Sequence, residues 1–492
     1  MTPPEKAHAA PFGPEIQLML GRSAGFAVSF FIPVVLVRMF DQAAFGTYKQ
    51  LFLVLSTLYL ITQGGMAESL FYFVPQGRER GGRYVANAAL CLGALGLVSG
   101  LLVWMEAPRI AAWMNNDALA SLLPWIGAIL FLMLTAAGLE IVMIARGRYL
   151  WAAASYGLSD LARSLMFIVP AILTRRLEWV LAGGVVFAGL RAAAALGYFA
   201  REFGSTLRPG SAPLKTQLFY ALPFGAAVLV EVLQGNIHQY VIAARFDAAT
   251  FAIYAVGCLQ IPFVDFVAGP AGNVMMVRMS EKLVEKDHAA VVALWHQTTL
   301  RLAMVFFPMV ALVLVLARDL IVILFTPAYV ASVPIFMAWT LSILFAVLQT
   351  DGVLRVYAQM RFLLLVNIVR LVLIVGSIYW FLSIFGLLGA VLVTLSGVAV
   401  AKGLMLFRMN RLLGTRLSGL LPWRGLVSTA GLSIVAAVPA WAINEALDSH
   451  PMAGVLVAGA TYAALYLAAL YWVKGWPGAA GRRLEALGVQ GG

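Results

Sequence analysis

Residues 40–48 read FDQAAFGTY, and residues 246–254 read FDAATFAIY. Each stretch lies between two long apolar segments, the first pair at the start of the chain and the second pair near its middle. The shared pattern is Phe-Asp-x-x-x-Phe-x-x-Tyr at an offset of about 206 residues, far longer than the repeat of a soluble solenoid. Two matching membrane halves are typical of secondary transporters, whose substrate site lies between the halves. The pattern favours an internal duplication, and a chance match of four side chains is the alternative.

Composition assigns the chain to the membrane proteins. Of its 492 residues, 62% are hydrophobic and only 11% are charged, whereas soluble domains average about 25% charged residues. So little polar surface leaves lipid as the solvent, and backbone groups in lipid must be satisfied within helices. The alternation of polar and apolar residues that marks a membrane barrel is absent. We predict an all-α polytopic membrane protein with about 14 transmembrane helices, each with about 20 apolar residues.

Basic residues predict the orientation of these helices. One set of connections, together with the C-terminal tail, carries roughly three times as many Lys and Arg residues as the alternate set. The positive-inside rule places the first set, and with it both termini, in the cytoplasm. Anchoring against anionic headgroups explains the net charge of +12, so we expect no nucleic acid as a partner. The polar residues 1–14 lack the features of a cleaved signal peptide, and the first span is expected to act as its own insertion signal.

The sequence lacks the motifs of catalysis and of nucleotide-driven pumping. It contains no Gly-x-x-x-x-Gly-Lys loop for nucleotide phosphates, and no His-Glu-x-x-His or Cys-x-x-Cys pair for a metal. The two cysteines, Cys91 and Cys258, lie in apolar runs and predict neither a disulfide nor a metal site. We therefore expect no cofactor, no metal and no catalytic residue, and we expect transport in place of catalysis.

Ionisable side chains within spans are costly and are functional candidates by default. Arg22, Arg191 and Arg370 have no opposite charge three or four residues away, and neither do Glu231 and Asp265. Each of these side chains needs a partner on another helix or a water-filled cavity. Interhelical ion pairs that only stabilise the bundle are one interpretation. The other is a polar cavity in which the arginines bind an anionic ligand, because a guanidinium fork matches two phosphate oxygens.

Other intramembrane charges have simpler explanations. Asp351 and Arg355 are four residues apart on one helix, so they are predicted to neutralise each other. With Glu231 and Asp265, they form a candidate charge network or an ion-coupling site. Asp160 and Arg163 form a similar predicted pair.

Three charged residues lie near predicted cytoplasmic ends of spans: Glu68, Glu140 and Lys402. Snorkelling explains the lysine, and a short reach to headgroup water explains the two acids.

A polar stretch in the seventh span provides further candidates. Gln234, Asn236 and His238 lie at a depth where such side chains are unusual. They suit a hydroxyl-rich cargo such as a sugar, and packing against Glu231 or capping a kink is the alternative.

The eighth predicted span is interrupted by prolines, and the connection after it is amphipathic. Pro262 and Pro270 make this span the most interrupted, and broken helices are where alternating-access transporters bend and bind. The following connection, residues 278–296, has an amphipathic pattern that predicts an interfacial helix on the cytoplasmic face, and a partner-binding helix is the alternative.

Loose motifs at four places resemble the polysaccharide transporter family, the oligosaccharide flippases of the superfamily that also holds multidrug exporters and lipid II flippases. They are residues 45–48 (FGTY), residues 222–224 (LPF), residues 247–254 and residues 324–329 (LFTPAY). Thr326 replaces the glycine usual in the last motif. The resemblance implies two six-helix lobes in parallel pseudo-repeat plus two C-terminal helices, here residues 1–215 (helices 1–6), 216–410 (helices 7–12) and 411–492 with a cytoplasmic tail. It also implies a cationic central cavity and alternating access.

The cargo implied by this resemblance is an undecaprenyl-pyrophosphate-linked oligosaccharide. It would move from the inner to the outer leaflet of the bacterial cytoplasmic (inner) membrane, for surface polysaccharides such as O-antigen or exopolysaccharide. Membrane lipid and polysaccharide polymerase or export proteins are the other expected partners. A cation-coupled multidrug exporter and a lipid II flippase are alternatives on the same architecture.

Overall fold

The computed structural model describes residues 29–76, 80–447 and 450–474, without the side chains of residues 417, 473 and 474. Within these ranges the regular secondary structure is helical. Twelve stretches are long and apolar enough to cross a membrane. The prediction of an all-α polytopic membrane protein is therefore confirmed, whereas the count of 14 spans stays a prediction. Two shorter apolar helices, Ser29–Met39 and Ala248–Gly257, lie in the predicted first and eighth spans.

The chain divides into two compact units, Met1–Ala252 and Ile253–Gly492. Each unit contains six of the twelve membrane-spanning stretches. In the first unit the helices are α1 (Ser29–Met39), α2 (Gln42–Gln63), α3 (Ser69–Gln76), α4 (Gly81–Met105), α5 (Ala107–Trp113), α6 (Ala118–Thr135), α7 (Leu139–Ala145), α8 (Tyr149–Thr174), α9 (Leu177–Phe203) and α10 (Ser211–Arg245). Helix α11 (Ala248–Gly257) contains the boundary between the units.

The second unit continues with eleven further helices among the described residues. They are α12 (Phe263–Val284), α13 (His288–Val315), α14 (Ala317–Phe325), α15 (Val333–Thr340), α16 (Ser342–Ala346), α17 (Thr350–Val356), α18 (Met360–Phe385), α19 (Leu387–Leu413), α20 (Leu417–Leu420), α21 (Trp423–Ala446) and α22 (Pro451–Lys474). The last two long helices pack against each other through small residues and tyrosines, including Ala440 and Ala458. The Tyr466 hydroxyl donates to the carbonyl of Met304 in α13 at 2.9 Å and so fixes α22 to the rest of the unit.

The repeated motif has the same local structure in both copies. Asp41 accepts a hydrogen bond from the backbone N–H of Ala44 at 2.7 Å and so caps α2. Asp247 accepts from the backbone N–H of Thr250 at 3.0 Å at the start of α11. The second and third aromatic residues of each copy are buried: Phe45, Tyr48, Phe251 and Tyr254. The matching aspartates are helix caps and these four aromatic residues are core, whereas Phe40 and Phe246 are half-buried.

A second repeat, which sequence identity did not reveal, involves the helices that carry the candidate site. Helices α7 and α17 have 7 residues each, α8 and α18 have 26 each, and α9 and α19 have 27 each. Their bounds match at an offset of about 210 residues, the length of one membrane half. Both connections after the short helix contain a residue of positive φ, Gly147 and Ala358. The two units therefore share the order and lengths of these three helices, with almost no side chains in common.

Two predictions about the eighth span and the connection after it differ from the structure. The break in the eighth span lies at residues 258–262, between α11 and α12, and Pro270 lies inside the continuous helix α12. The predicted interfacial helix at residues 278–296 is wrong. Its first part completes α12 and its last part begins α13, where Val291 and Trp295 are fully buried. Val291 and Trp295 therefore belong to the core of the unit, whereas Val284 of the same stretch is exposed.

Candidate functional site

The first unit contains a buried ion pair between two helices. The Arg191 guanidinium in α9 donates through Nη2 to Oε2 of Glu140 in α7 at 2.7 Å. Side-chain exposure is 13% for the arginine and 3% for the glutamate. Two serines of α8 complete the cluster: Ser159 accepts from Arg191 Nη1 at 2.6 Å, and Ser155 donates to Glu140 Oε1 at 2.8 Å. Three helices thus meet at one charged cluster, which we call the Arg191 cluster.

A cavity of about 340 Å³ borders this cluster. Its polar wall consists of Arg191, Ser155 and Ser159, and Trp151 contributes an indole ring. Apolar side chains form the remainder of the wall, among them Leu139, Met143, Leu158, Phe187 and Leu190. The sequence left two interpretations open for Arg191, an ion pair or a cavity-lining group, and the structure gives this side chain both features.

The second unit contains an ion pair at the equivalent place. Lys402 in α19 donates through Nζ to Oδ2 of Asp351 in α17 at 2.6 Å. The same ammonium donates to the carbonyl of Leu348 at 3.0 Å and to Oγ1 of Thr350 at 3.1 Å. In both pairs the acid and the base are 51 residues apart in the chain. Each acid also lies in the first turn of a short helix after a break, where the helix dipole favours negative charge.

This pairing corrects two interpretations made from the sequence. Asp351 pairs with Lys402 and not with Arg355, which is exposed and forms no ion pair with any described residue. A buried ammonium requires several acceptors, and residues 348–351 offer three, whereas an exposed guanidinium can be solvated. Glu140 and Lys402 belong to interhelical pairs, so proximity to headgroup water does not explain them. The predicted pair of Asp160 with Arg163 does form, at 2.7 Å.

The other predicted arginines lie in different surroundings. Arg370 is half-buried in α18, and its Cγ lies 3.4 Å from the position that a Cβ would take on Gly397 of α19. It occupies the same place in α18 that Ser159 occupies in α8. The second unit therefore has a guanidinium where the first has a hydroxyl. Arg22 lies outside the described residues.

The polar stretch of the seventh span lies in α10, on more than one side of the helix. Gln234 and His238 are buried, at 3% and 0% exposure. Asn236 donates through Nδ2 to the Thr57 hydroxyl of α2 at 2.8 Å, so this amide links two helices of the first unit. Glu231 is exposed and has no ion-pair partner among the described residues. Packing against Glu231, the alternative interpretation of this stretch, is therefore not what Asn236 does.

Asp265 borders a separate cavity in the second unit. This cavity has a volume of about 240 Å³, and its polar wall includes Gln260, Thr340 and Ser342. Asp265 lies in the first turn of α12, directly after the break in the eighth span, and forms no ion pair with any described residue. A carboxylate beside amide and hydroxyl oxygens at a helix break can hold a proton or a small cation. Among the described residues, no three His, Cys, Asp or Glu side chains are grouped as metal ligands.

The chain has sequence relatives at the level of a family. The sequence model of the family described as "Polysaccharide biosynthesis protein" matches residues 35–334. The chain belongs to this family. The family predicted from the loose motifs is therefore confirmed. No curated protein matches the sequence of this polysaccharide biosynthesis protein.

Solved structures share the fold of this polysaccharide biosynthesis protein. A lipid II flippase, MurJ, in an inward closed conformation matches with a TM-score of 0.70 and 12% identity over 93% of this chain and 98% of its own. A MATE transporter from Vibrio cholerae gives 0.56 and 12% over 82% and 96%. A transporter of the MOP superfamily from Pyrococcus furiosus, described as having a binding pocket of reversed polarity, gives 0.52 and 16% over 83% and 96%. At these identities the similarity concerns the fold alone.

Several functional candidates in this family member were missed or discounted from the sequence. Ser155 and Ser159 gave no signal, because a serine in a membrane helix is common and its partner lies on another helix. Glu68 lies in the interruption between α2 and α3, and its Oε2 is buried with no hydrogen-bond partner among the described residues. Gly64 and Gly65, both at positive φ, form this interruption. The two adjacent glycines were the available sign of a break beside a carboxylate.

Proposed function

We propose that this protein is a flippase for a lipid-linked oligosaccharide. The cargo carries a polyprenyl pyrophosphate and moves from the inner to the outer leaflet of the bacterial cytoplasmic membrane by alternating access. It supplies the synthesis of a surface polysaccharide such as O-antigen or exopolysaccharide. Membership of the polysaccharide biosynthesis family and a fold shared with a lipid II flippase support this proposal. The expected partners are the cargo, the surrounding lipid and the proteins that polymerise or export the glycan.

The physical problem of such a cargo is its head group. A pyrophosphate carries at least two negative charges and the glycan carries many hydroxyls, while the hydrocarbon layer is about 30 Å thick. Charge in that layer is strongly disfavoured unless protein groups replace its water. The polyprenyl tail is apolar and can stay in the lipid. The protein therefore has to solvate only the head.

The Arg191 cluster is the observation that carries this proposal. Its cavity brings together a guanidinium, two hydroxyls and an indole within a membrane-spanning part of the first unit. The guanidinium can bind phosphate oxygens in bidentate fashion, and hydroxyls and aromatic faces suit sugars. A volume of about 340 Å³ fits a head group or one sugar, so the remaining glycan must occupy space outside this cavity. The Nε atom of Arg191 is buried and has no hydrogen-bond partner among the described residues.

The ion pair gives the cluster a means of coupling. Glu140 holds Arg191 at 2.7 Å when no anion is bound. A phosphate that binds the guanidinium competes with this carboxylate, since both need the same Nη donors. The displaced Glu140 would then be a buried carboxylate without its cation, and protonation would relieve that cost. A proton that enters with cargo binding and leaves with cargo release follows from this competition.

The decisive experiment is cargo flipping in proteoliposomes made with the full-length chain. A fluorescent polyprenyl-pyrophosphate oligosaccharide is the probe, and Arg191→Ala is the main variant. Hydrogen bonds to charged groups contribute about 1.5–3 kcal/mol, so we expect a rate about 10–100 times lower. Arg370→Ala is expected to lose transport as well. Arg163→Gln is the matched control, because it removes an intramembrane arginine whose acid partner lies on its own helix.

A charge swap separates a ligand-binding role from a structural one. Glu140→Arg combined with Arg191→Glu keeps an ion pair between α7 and α9 but moves the guanidinium to another helix. We expect the swapped protein to regain thermal stability relative to Arg191→Ala, without regaining transport. Wild-type rates in the swapped protein would contradict the proposal, because any ion pair would then suffice.

Glu68 favours a second candidate function, that of a cation-coupled multidrug exporter. The Oε2 atom of this carboxylate is buried with no hydrogen-bond partner among the described residues, and an intramembrane carboxylate of this kind suits a cationic drug or a coupling proton. The same proteoliposomes distinguish the functions when a cationic dye and lipid II are tested beside the glycan lipid. Movement of the dye without movement of the glycan lipid would show that the protein is a multidrug exporter. Preferential movement of lipid II would show that it is a lipid II flippase.

A further inference from the structure

A groove between α12 and α13 in the second unit has the features of a separate anion site. Its cavity has a volume of about 260 Å³ and is lined by Arg278 and Arg301 with Gln297 and Thr298. The rest of the lining is apolar, including Val274, Met275 and Leu294, and no acidic residue contributes to it. The groove is therefore cationic at one part of its wall and apolar at the other.

Neither arginine of this groove is neutralised by the protein. Arg278 and Arg301 are exposed, and neither forms an ion pair or hydrogen bond with any described residue. Nearby Lys282 differs, because it donates to Glu285 at 2.7 Å. A second cavity of about 610 Å³ shares Arg278 and Gln297 with the groove and opens towards Lys282. Glu281 also lines this second cavity, so the cationic part of the wall is confined to the groove.

The depth of the two arginines follows from the connection between the helices. Residues 285–287 join α12 to α13, and Asp287 caps α13 by accepting from the backbone N–H of Ala290 at 2.9 Å. Along the chain, Arg278 lies closer to this connection than Arg301 does. At 1.5 Å per residue, Arg301 lies about 10 Å further from the connection than Arg278. The two guanidinium groups can therefore bracket a head group at the membrane surface, with Arg301 extending towards it along its aliphatic stem.

We propose that this groove binds the phosphate head group of an anionic membrane lipid from the leaflet facing the α12–α13 connection. Basic pockets between transmembrane helices on the cytoplasmic side are typical sites for such head groups. The arginines would share the phosphate oxygens, Gln297 and Thr298 would donate to the glycerol end, and Val274 and Leu294 would contact the upper part of the acyl chains. This lipid is a resident ligand, distinct from the cargo proposed above.

Thermal unfolding of the purified full-length protein in detergent tests this site. Short-chain phosphatidylglycerol is the probe, and phosphatidylcholine of the same chain length is its control. We expect phosphatidylglycerol to raise the melting temperature by several degrees more than phosphatidylcholine does. The double variant Arg278→Gln with Arg301→Gln should lose most of this difference. Arg361→Gln should retain it, because Arg361 is also exposed in the second unit but lies at the start of α18.

Several outcomes would overturn the proposal. Equal shifts from both lipids would exclude a head-group preference, and an equal loss in Arg361→Gln would indicate diffuse surface charge. If the double variant is poorly folded, Arg278→Lys with Arg301→Lys replaces it, and unchanged selectivity there supports a charged site. Competition by soluble pyrophosphate or by polyprenyl pyrophosphate, at concentrations where phosphatidylglycerol acts, would assign the groove to cargo. None of these readouts depends on transport, so failure here leaves the flippase proposal intact.

Discussion

Gly46 shows how one residue of a short motif can determine a contact between helices. A Cβ on this residue would lie 1.8 Å from the carbonyl oxygen of Ala248. Helix α2 and the first residue of α11 therefore touch backbone to backbone within the first unit. The motif around Phe45 and Tyr48 was visible in the sequence, but nothing there identified the glycine as the position without room for a methyl group.

Replacing Gly46 by alanine should destabilise the first unit. The backbone must move to admit the methyl group, and overpacking of this kind costs about 1–3 kcal/mol. The melting temperature of the purified protein measures the effect. Gly197→Ala is the matched control in α9, since no atom lies within 4 Å of its added Cβ. There alanine should be neutral or stabilising by up to about 1 kcal/mol, because it is the better helix former. Equal behaviour of the two variants would refute the close contact.

The charged residues mark the limit of what could be predicted residue by residue. The sequence indicated that Arg191 needed a partner on another helix, because its own helix offers no acid at the right spacing. It did not identify Glu140, since that contact depends on how α7 and α9 pack. The same limit explains the wrong pairing of Asp351 with Arg355. Spacing along one helix is visible in a sequence, whereas Lys402, the actual partner, comes from another helix.

Among the helices, the repeated aspartates act as N-terminal caps. Asp41 and Asp247 each accept a backbone N–H in the first turn of the helix that follows. The hydrogen bonds from Thr250 hold the pKa of Asp247 below its ordinary value. The ionised form is therefore the better cap, and the stability that it adds depends on pH.

Asp247→Ala should weaken the start of α11 by about 1 kcal/mol at neutral pH. The folded-state pKa is lowered, so this contribution is complete above the ordinary pKa of about 3.9 and is lost as the pH falls through the folded value. The difference in melting temperature between wild type and variant should therefore shrink in acid. Asp247→Asn is the control, because asparagine caps as well as aspartate does but does not titrate. A deficit of Asp247→Ala that is the same at all pH values would contradict the mechanism.

Helix existence was predictable from composition, and helix interruption was only partly so. The break between α6 and α7 falls at Ala136–Gly138, in a stretch as apolar as the rest of its span. Hydropathy contains no sign of such a break. In the eighth span the prolines did announce an interruption, but it lies at residues 258–262 while Pro270 stays within α12. A proline permits a break, and packing decides where the break occurs.

For the whole molecule, packing and repeat divide the chain at different places. The predicted domain boundary between residues 215 and 216 follows the repeat, and it stays a prediction. The compact units meet at residues 252–253, because α10 packs within the first unit. Gln217 of α10 is fully buried and donates to the Ser69 hydroxyl at 2.9 Å, and a Cβ on Gly225 would lie 2.6 Å from the carbonyl oxygen of Gly64. A helix that begins the second copy of a repeat can thus pack with the first copy.

The number of membrane crossings depends on whether α11 and α12 cross the membrane. Twelve stretches within the described residues meet the length and hydropathy of a span, whereas α11 and α12 do not. Helix α11 has only 10 residues, and α12 carries Asp265, Arg278 and Lys282. Together they nevertheless cover residues 248–284, long enough to cross about 30 Å even with a break. We predict that the pair does cross, because the basic residues after it fit the cytoplasmic side only in that case.

Cysteine accessibility tests this crossing directly. Cys91→Ala and Cys258→Ala provide the background, and single cysteines replace Arg245 before the pair and Glu285 after it. A membrane-impermeant maleimide added to intact cells should label the cysteine at 245, whereas the cysteine at 285 should react only after the membrane is opened. A cysteine at Arg361 is expected to behave like the one at 285, because two spans, His288–Val315 and Pro327–Val356, separate these positions. Labelling of both 245 and 285 from outside would mean that α11 and α12 do not cross. In that case every later connection would change sides, and the arginine-rich connections of the second unit would face outward, against the bias that fixes orientation in the first unit.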